Sequence, residues 1–174
     1  MTAVELPQGV DHLPIVKSLH WRDEAATARF ARALAARQEL RLAYIELKGD
    51  LGAGKTTLVR HLLHALGVPG RIKSPTYAVV EPYVLPGCNI WHFDFYRFSD
   101  PREWTDAGFR DIFASPGLKI AEWPDKAAGC VPLADLIVQL DVVDDTARQV
   151  HLTAQTALGA TLLKSVLPLD ASKP

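Results

Sequence analysis

One short stretch, Gly49-Asp50-Leu51-Gly52-Ala53-Gly54-Lys55-Thr56, limits what this chain can fold into more than any other. Three glycines in six residues cannot sit inside a helix or strand without cost, but they let main-chain N–H groups turn inward around an anion. The flanks are ordered in a telling way. Leu42–Leu47 reads as an apolar strand running into the glycines. Beyond them Leu58, Val59, Leu62, Leu63 and Leu66 fall on one face of a helix, which Gly67 would stop, with Pro69 following. Strand, glycine loop and helix in that order predict a phosphate cradle at a helix N-terminus.

The loop fulfils Gly-x4-Gly-Lys-Ser/Thr at every position. Lys55 can reach β- and γ-phosphate oxygens, the Thr56 hydroxyl can ligate magnesium, and Thr57 stands where an α-phosphate would lie. The expected cofactors are therefore ATP and Mg2+. The alternative is a chance pattern on an ordinary strand–turn–helix.

The rest of the chain predicts an α/β protein, a P-loop NTPase-like three-layer fold whose mixed central sheet is flanked by helices. A helix is expected from Asp23, its cap, to about Gln38. Tyr77–Val84 and Asn89–Phe95 read as a hairpin about the turn Leu85–Cys88, and Pro82 confines the first of these strands to an edge. Residues 100–114 look helical in short pieces, Leu118–Ala121 is a short buried strand, and Leu136–Val142 and Gln149–Ala154 are strands joined by a polar turn. A last helix spans about Leu158 to Val166. Residues 1–14 are expected to be a loose lead-in and 168–174 a frayed tail, so the 174 residues form one domain.

Composition narrows the partners. Hydrophobic residues make up 48% and charged residues 22%, and the net charge is −1. No segment gathers Lys and Arg, so a direct grip on DNA or RNA is not expected. Cys88 and Cys130 have no metal-site spacing. The N-terminal residues lack a basic start and an apolar run, and no stretch approaches the roughly 20 apolar residues of a membrane helix. A cytoplasmic protein without membrane contact is the expectation.

Three polar segments stand out. In Ser74-Pro75-Thr76-Tyr77, Thr76 can bring its hydroxyl to a γ-phosphate or an attacking water, as switch threonines do; Ser74 and Pro75 are equally turn formers. In Trp91-His-Phe-Asp-Phe-Tyr-Arg97 a strand would set His92, Asp94 and Tyr96 on one face and the aromatic Trp91, Phe93 and Phe95 on the other. Asp94 then stands where α/β sheets put ligand groups, or else pairs with Arg97 in a turn. Zinc on His92 and Asp94 lacks a third ligand nearby. In Ala121-Glu122-Trp123-Pro124-Asp125, Glu122 follows a buried strand, the position of a carboxylate that holds magnesium or its water. Trp123 offers a flat surface for a base or for the core. His61 and His64, three apart on a helix, could bind metal but fit exposed positions, and Asp144-Asp145 fits a solvated turn.

Taken together, Gly49–Thr57, Ser74–Tyr77, His92–Arg97 with Asp100-Pro101 behind it, and Glu122-Trp123-Pro124 resemble the TsaE (YjeE) family in order and spacing, over roughly residues 20–155. The resemblance implies a bacterial ATPase needed to make threonylcarbamoyl-adenosine beside the anticodon of tRNA. It would act with TsaD and TsaB and touch tRNA only indirectly. It implies that Gly52 to Thr57 cradle phosphates, that Thr56 and Glu122 hold magnesium with Asp94 close by, and that Thr76 and Asp94 serve hydrolysis at the γ-phosphate. Trp123 would border the nucleotide, and Glu24 and Arg148 would approach it.

The chemistry needs charge neutralisation, which Lys55 and magnesium supply, and an oriented water, for which Asp94 or Glu122 is suited. Without an arginine finger in the motifs, hydrolysis by the isolated chain should be slow and raised by a partner. The rivals are a small-molecule kinase and a non-catalytic module gated by nucleotide. A kinase lid usually carries arginines, whereas residues 115–174 contain only Arg148.

Overall fold

The computed structural model describes residues 14–167, so the expectations for residues 1–13 and 168–174 lie outside the described residues. Seven strands form one mixed sheet. They are β1 (Ile15–Trp21), β2 (Tyr44–Lys48), β3 (Val80–Leu85), β4 (Cys88–Asp94), β5 (Leu118–Glu122), β6 (Leu136–Val142) and β7 (Arg148–Ala154), in the spatial order β1-β7-β6-β2-β5-β4-β3. The four central strands β6, β2, β5 and β4 run parallel, and antiparallel partners close the sheet on both sides. Pro82 lies on the edge strand β3, where a missing N–H breaks no ladder on the outer side.

The helices are α1 (Glu24–Ala35), α2 (Lys55–Leu66), α3 (Pro101–Asp106), α4 (Phe109–Ala114) and α5 (Ala157–Val166). Local chemistry sets their ends. The Asp23 side chain accepts from Ala26 N at 3.0 Å and caps α1. Gly67 ends α2 in the left-handed region, its N–H reaching the His64 carbonyl while Val68 N reaches Leu63 O. Asp100 caps α3 with Pro101 just inside.

Two apolar clusters lie on the two faces of the sheet. Ile45, Leu47, Leu118, Ile120, Val138 and Leu152 belong to the cluster that includes α1, α2 and α5 residues such as Phe30, Leu58 and Leu162. Tyr44 and Ala121, one residue out of phase with Ile45 and Ile120, join Phe93 of β4 in a cluster with Trp104 and Phe109 from α3 and α4. The central strands are thus buried on both faces, as parallel strands are. This is the expected α/β architecture, with three corrections. The helix expected to reach Gln38 ends at Ala35, and residues Gln38–Leu42 form a 3-10 turn, which moves the start of the following strand from Leu42 to Tyr44. The strand expected from Tyr77 begins at Val80, because Val79 takes a φ of 68° and bends the chain. The strand β1 had no counterpart in the sequence reading.

Candidate functional site

The parallel strands β2, β5 and β4 end side by side, and the buried Lys55, Asp94 and Glu122 gather there. The glycine loop leaves the end of β2 with Gly49, Gly52 and Gly54 all at positive φ, between 81° and 143°. Lys55 opens α2 and is 5% exposed. Its Nζ donates to the carbonyls of Gly49 (2.6 Å) and Asp50 (2.9 Å) and lies 4.2 Å above the Trp123 ring. Burial pushes the Lys55 ammonium pKa down, and Glu122, Asp94 and Asp50 oppose that shift. An anion placed before the loop would give this charge a partner.

Sheet register brings in the carboxylates. Leu47 pairs with Glu122, and Glu122 pairs with Asp94. Glu122 is 3% exposed, and the Thr56 hydroxyl lies 3.0 Å from both of its carboxylate oxygens. Asp94 is as buried, and it takes Tyr96 N at 2.9 Å on Oδ1 and the hydroxyls of Ser74 and Thr76 on Oδ2. The 74–79 loop is drawn back to the end of β4 by the bond from Asp94 N to the Val79 carbonyl, 2.8 Å. Among the described residues, Val79 and Trp123 are the non-glycine residues at positive φ; Trp123 lines the cleft, and Val79 accepts from Asp94 N. A cleft of about 310 Å3 is lined by Leu51, Lys55, Thr56, Thr76, Asp94, Glu122 and Trp123 among others. Hydroxyl and carboxylate oxygens converging beside a phosphate loop fit magnesium, which takes hard oxygen ligands, usually one or two carboxylates with substrate phosphates.

On its other side the loop borders a second cleft of about 220 Å3, which shares Gly54 and Thr57 with the first. Ala53, Trp21, Asp23, Glu24, Thr27, Asp145, Thr146 and Arg148 line it. Glu24 reaches the cleft while its carboxylate meets His61 Nε2 at 2.8 Å. Arg148 is turned toward main chain: it donates to Ala53 O (2.8 Å), Asp144 O (2.9 Å) and Ala147 O (2.8 Å), which ties the β6–β7 turn to the loop.

Several sequence readings are settled by this placement. Asp94 does not pair with Arg97, which instead stacks on Tyr77 at 4.4 Å. His92 turns Nε2 to Glu122 rather than to a shared site with Asp94. His61 and His64 point apart, to Glu24 and to the Gly70 carbonyl. Asp144 forms the expected turn by accepting from Thr146 N and Ala147 N, both at 2.8 Å, but Asp145 faces the second cleft. Trp21 and Thr27 were not singled out from sequence; the Trp two positions before the α1 cap was the available signal.

Comparison with known proteins identifies the family and the fold. The family model described as threonylcarbamoyl adenosine biosynthesis protein TsaE matches residues 21–150. The tRNA threonylcarbamoyladenosine biosynthesis protein TsaE of Haemophilus influenzae is 43% identical over 137 residues, covering 79% of this chain and 86% of that protein. Its Bacillus subtilis counterpart is 31% identical over 147 residues, covering 80% and 87%. The crystal structure of Bacillus subtilis YdiB superposes with a TM-score of 0.72 at 23% identity, over 92% of this chain and 99% of that one, and so shares the fold. No helix among the described residues is long and apolar enough to cross a membrane. The chain belongs to the TsaE family of tRNA threonylcarbamoyladenosine biosynthesis proteins.

Proposed function

We propose that this chain is a magnesium-dependent ATPase, slow in isolation, that drives the TsaB–TsaD machinery of threonylcarbamoyl-adenosine synthesis on tRNA in the cytoplasm. The observation that carries the reading is the meeting of Lys55, Thr56, Glu122 and Asp94 at one end of a glycine loop. The loop amides and the α2 N-terminus bind a polyphosphate, and Lys55 exchanges its two carbonyl partners for phosphate oxygens. Thr56 and Glu122 would hold magnesium, which supplies charge neutralisation on the phosphates. Asp94, held by two hydroxyls and a main-chain N–H, is a fixed acceptor suited to orient a water or take its proton. The second cleft suits the nucleoside, between Trp21, Thr27 and Thr146.

Slow turnover follows from the missing cation. Among the described residues, none lining the first cleft is an arginine, and Arg148 is engaged by main-chain carbonyls. A partner that supplies the absent charge would accelerate the step; arginine fingers are worth about 10³–10⁵ in rate. The test has two parts. The purified chain is assayed for phosphate release alone and with TsaB and TsaD, and a pull-down with those proteins is run with and without ATP. Release should be slow alone and rise with the pair, and capture should depend on ATP. Asp94→Asn should keep nucleotide affinity and lose release, while Lys55→Ala should lose affinity. Turnover of tens per second by the chain alone would overturn the partner-completed reading.

A further inference from the structure

Glu122 has a second polar partner that the proposed chemistry leaves idle. His92 lies on β4, two residues before Asp94 and on the same face of the strand. Its register partner is Ile120, which places it diagonally across from Glu122 on the neighbouring strand. The side chain is fully buried, and Nε2 lies 2.8 Å from Glu122 Oε1. A carboxylate only accepts, so Nε2 carries the hydrogen and donates it. Nδ1 has no hydrogen-bond partner among the described residues. The ring is thus held by one polar tie, and that tie runs to the carboxylate beside Thr56. An apolar side chain of similar volume would fill the space without leaving a buried nitrogen unpaired, so packing alone does not account for histidine here.

We infer that His92 is a positioning residue for Glu122. It clamps Oε1 from inside the core and fixes the carboxylate in the orientation that meets the Thr56 hydroxyl. This rests on the reading that Thr56 and Glu122 hold magnesium. It goes further in assigning the rigidity of that pair to a residue which touches neither nucleotide nor metal. Partners of this kind fix the geometry of a metal ligand, and their loss typically costs about 10–100-fold in metal affinity.

The experiment measures how the magnesium requirement for binding a non-hydrolysable ATP analogue changes in the full-length chain. Calorimetric titrations are run across a magnesium series and in EDTA, for wild type, His92→Leu, His92→Gln and His92→Asn, with a thermal melt of each. Glutamine places an N–H near the position of Nε2; asparagine is polar but too short to reach Glu122. In EDTA all folded variants should bind the analogue alike, since the loop is untouched. The half-saturating magnesium concentration should rise about 10–100-fold in His92→Leu and His92→Asn and stay within about threefold of wild type in His92→Gln. A folded His92→Leu with the wild-type magnesium requirement would overturn the positioning role. If His92→Leu does not fold, equal requirements in the glutamine and asparagine variants overturn it instead. Wild-type binding indifferent to magnesium would sink the metal reading itself, a result distinct from either.

Discussion

Replacing Gly49 by alanine tests whether the loop's geometry, rather than its charge, makes the site. Gly49 sits at φ +143°, and a Cβ there would lie 2.4 Å from the Leu140 carbonyl oxygen and 3.0 Å from the Ala53 Cβ. Ordinary contacts begin at 3.4 Å, so something must shift by about 1 Å. Leu140 cannot supply that movement readily, because it pairs with Val150 of β7 and directly follows Gln139, which pairs with Lys48 of β2. The start of the loop must move instead. Strain at such a backbone angle costs about 1–3 kcal/mol, and overpacking adds about 1–3 kcal/mol. At about 2–4 °C per kcal/mol for a chain of this size, the melting temperature should fall by roughly 4–24 °C. Moving the start of the loop should also weaken ATP binding. Gly54→Ala is the control. Its Cβ meets nothing within 4 Å, although its φ is +105°. It should melt closer to wild type, since only backbone strain is added. Differential scanning calorimetry and nucleotide titration read the two effects separately. Wild-type melting and affinity in Gly49→Ala would refute the reasoning, because the loop would then have room the structure denies it.

Further outcomes follow from the same kind of reading. Gly159→Ala would set a Cβ 1.8 Å from the Asp135 carbonyl oxygen, so α5 must lift from the sheet; melting should fall by about 6–12 °C while nucleotide affinity holds, since α5 lies away from both clefts. Asp135→Ala removes the acceptor of Tyr44 N (2.8 Å) and of the α5 cap Thr156 (2.6 Å), and denaturant titration should show a loss of about 2–3 kcal/mol. Glu46 is a buried acid whose pKa burial raises, against the lowering effect of the Tyr44 hydroxyl and Lys48. The folded state therefore holds its proton more tightly than the unfolded one, so its stabilising contribution is complete below the unfolded value and is lost as pH rises through the folded value. Melts taken from acid to neutral pH should show wild type losing ground to Glu46→Gln; a constant gap would contradict this.

What could be read from the sequence was local. The glycine loop is contiguous, and the strand before it and the helix after it are its neighbours in sequence. Asp23, Gly67 and Asp100-Pro101 mark helix ends for the same reason. β1 escaped because its pattern is not one: Ile15 and Val16 are apolar yet exposed, and only Leu19 and Trp21 turn inward. Of the second cleft Glu24, Thr57 and Arg148 were legible, but Trp21, Thr27 and Thr146 were not, because they lie in separate segments that meet only in the folded chain. His92 was visible as a companion of Asp94, but its bond to Glu122 crosses thirty residues and needs the β4–β5 register.

That register is what turns separate motifs into one site. Lys55 and Thr56 are set by the loop at the end of β2, whereas Glu122 comes from β5 and Asp94 from β4. Side chains alternate along a strand, so a one-residue slip of β5 would send Glu122 toward α3 and α4, and Ala121 would face Thr56. The residues that forbid the slip are apolar. Leu118 and Ile120 share the face of Glu122 and are fully buried in the cluster that includes α2 residues, and Ala121 packs with Phe93 and Phe109 on the other face. Exchanging the two faces would drive the larger side chains into the space of an alanine. The polar pairing at the strand ends is therefore set by the apolar sorting two to four residues earlier, and the chemistry of the cleft is a consequence of how the core divides between the two faces of the sheet.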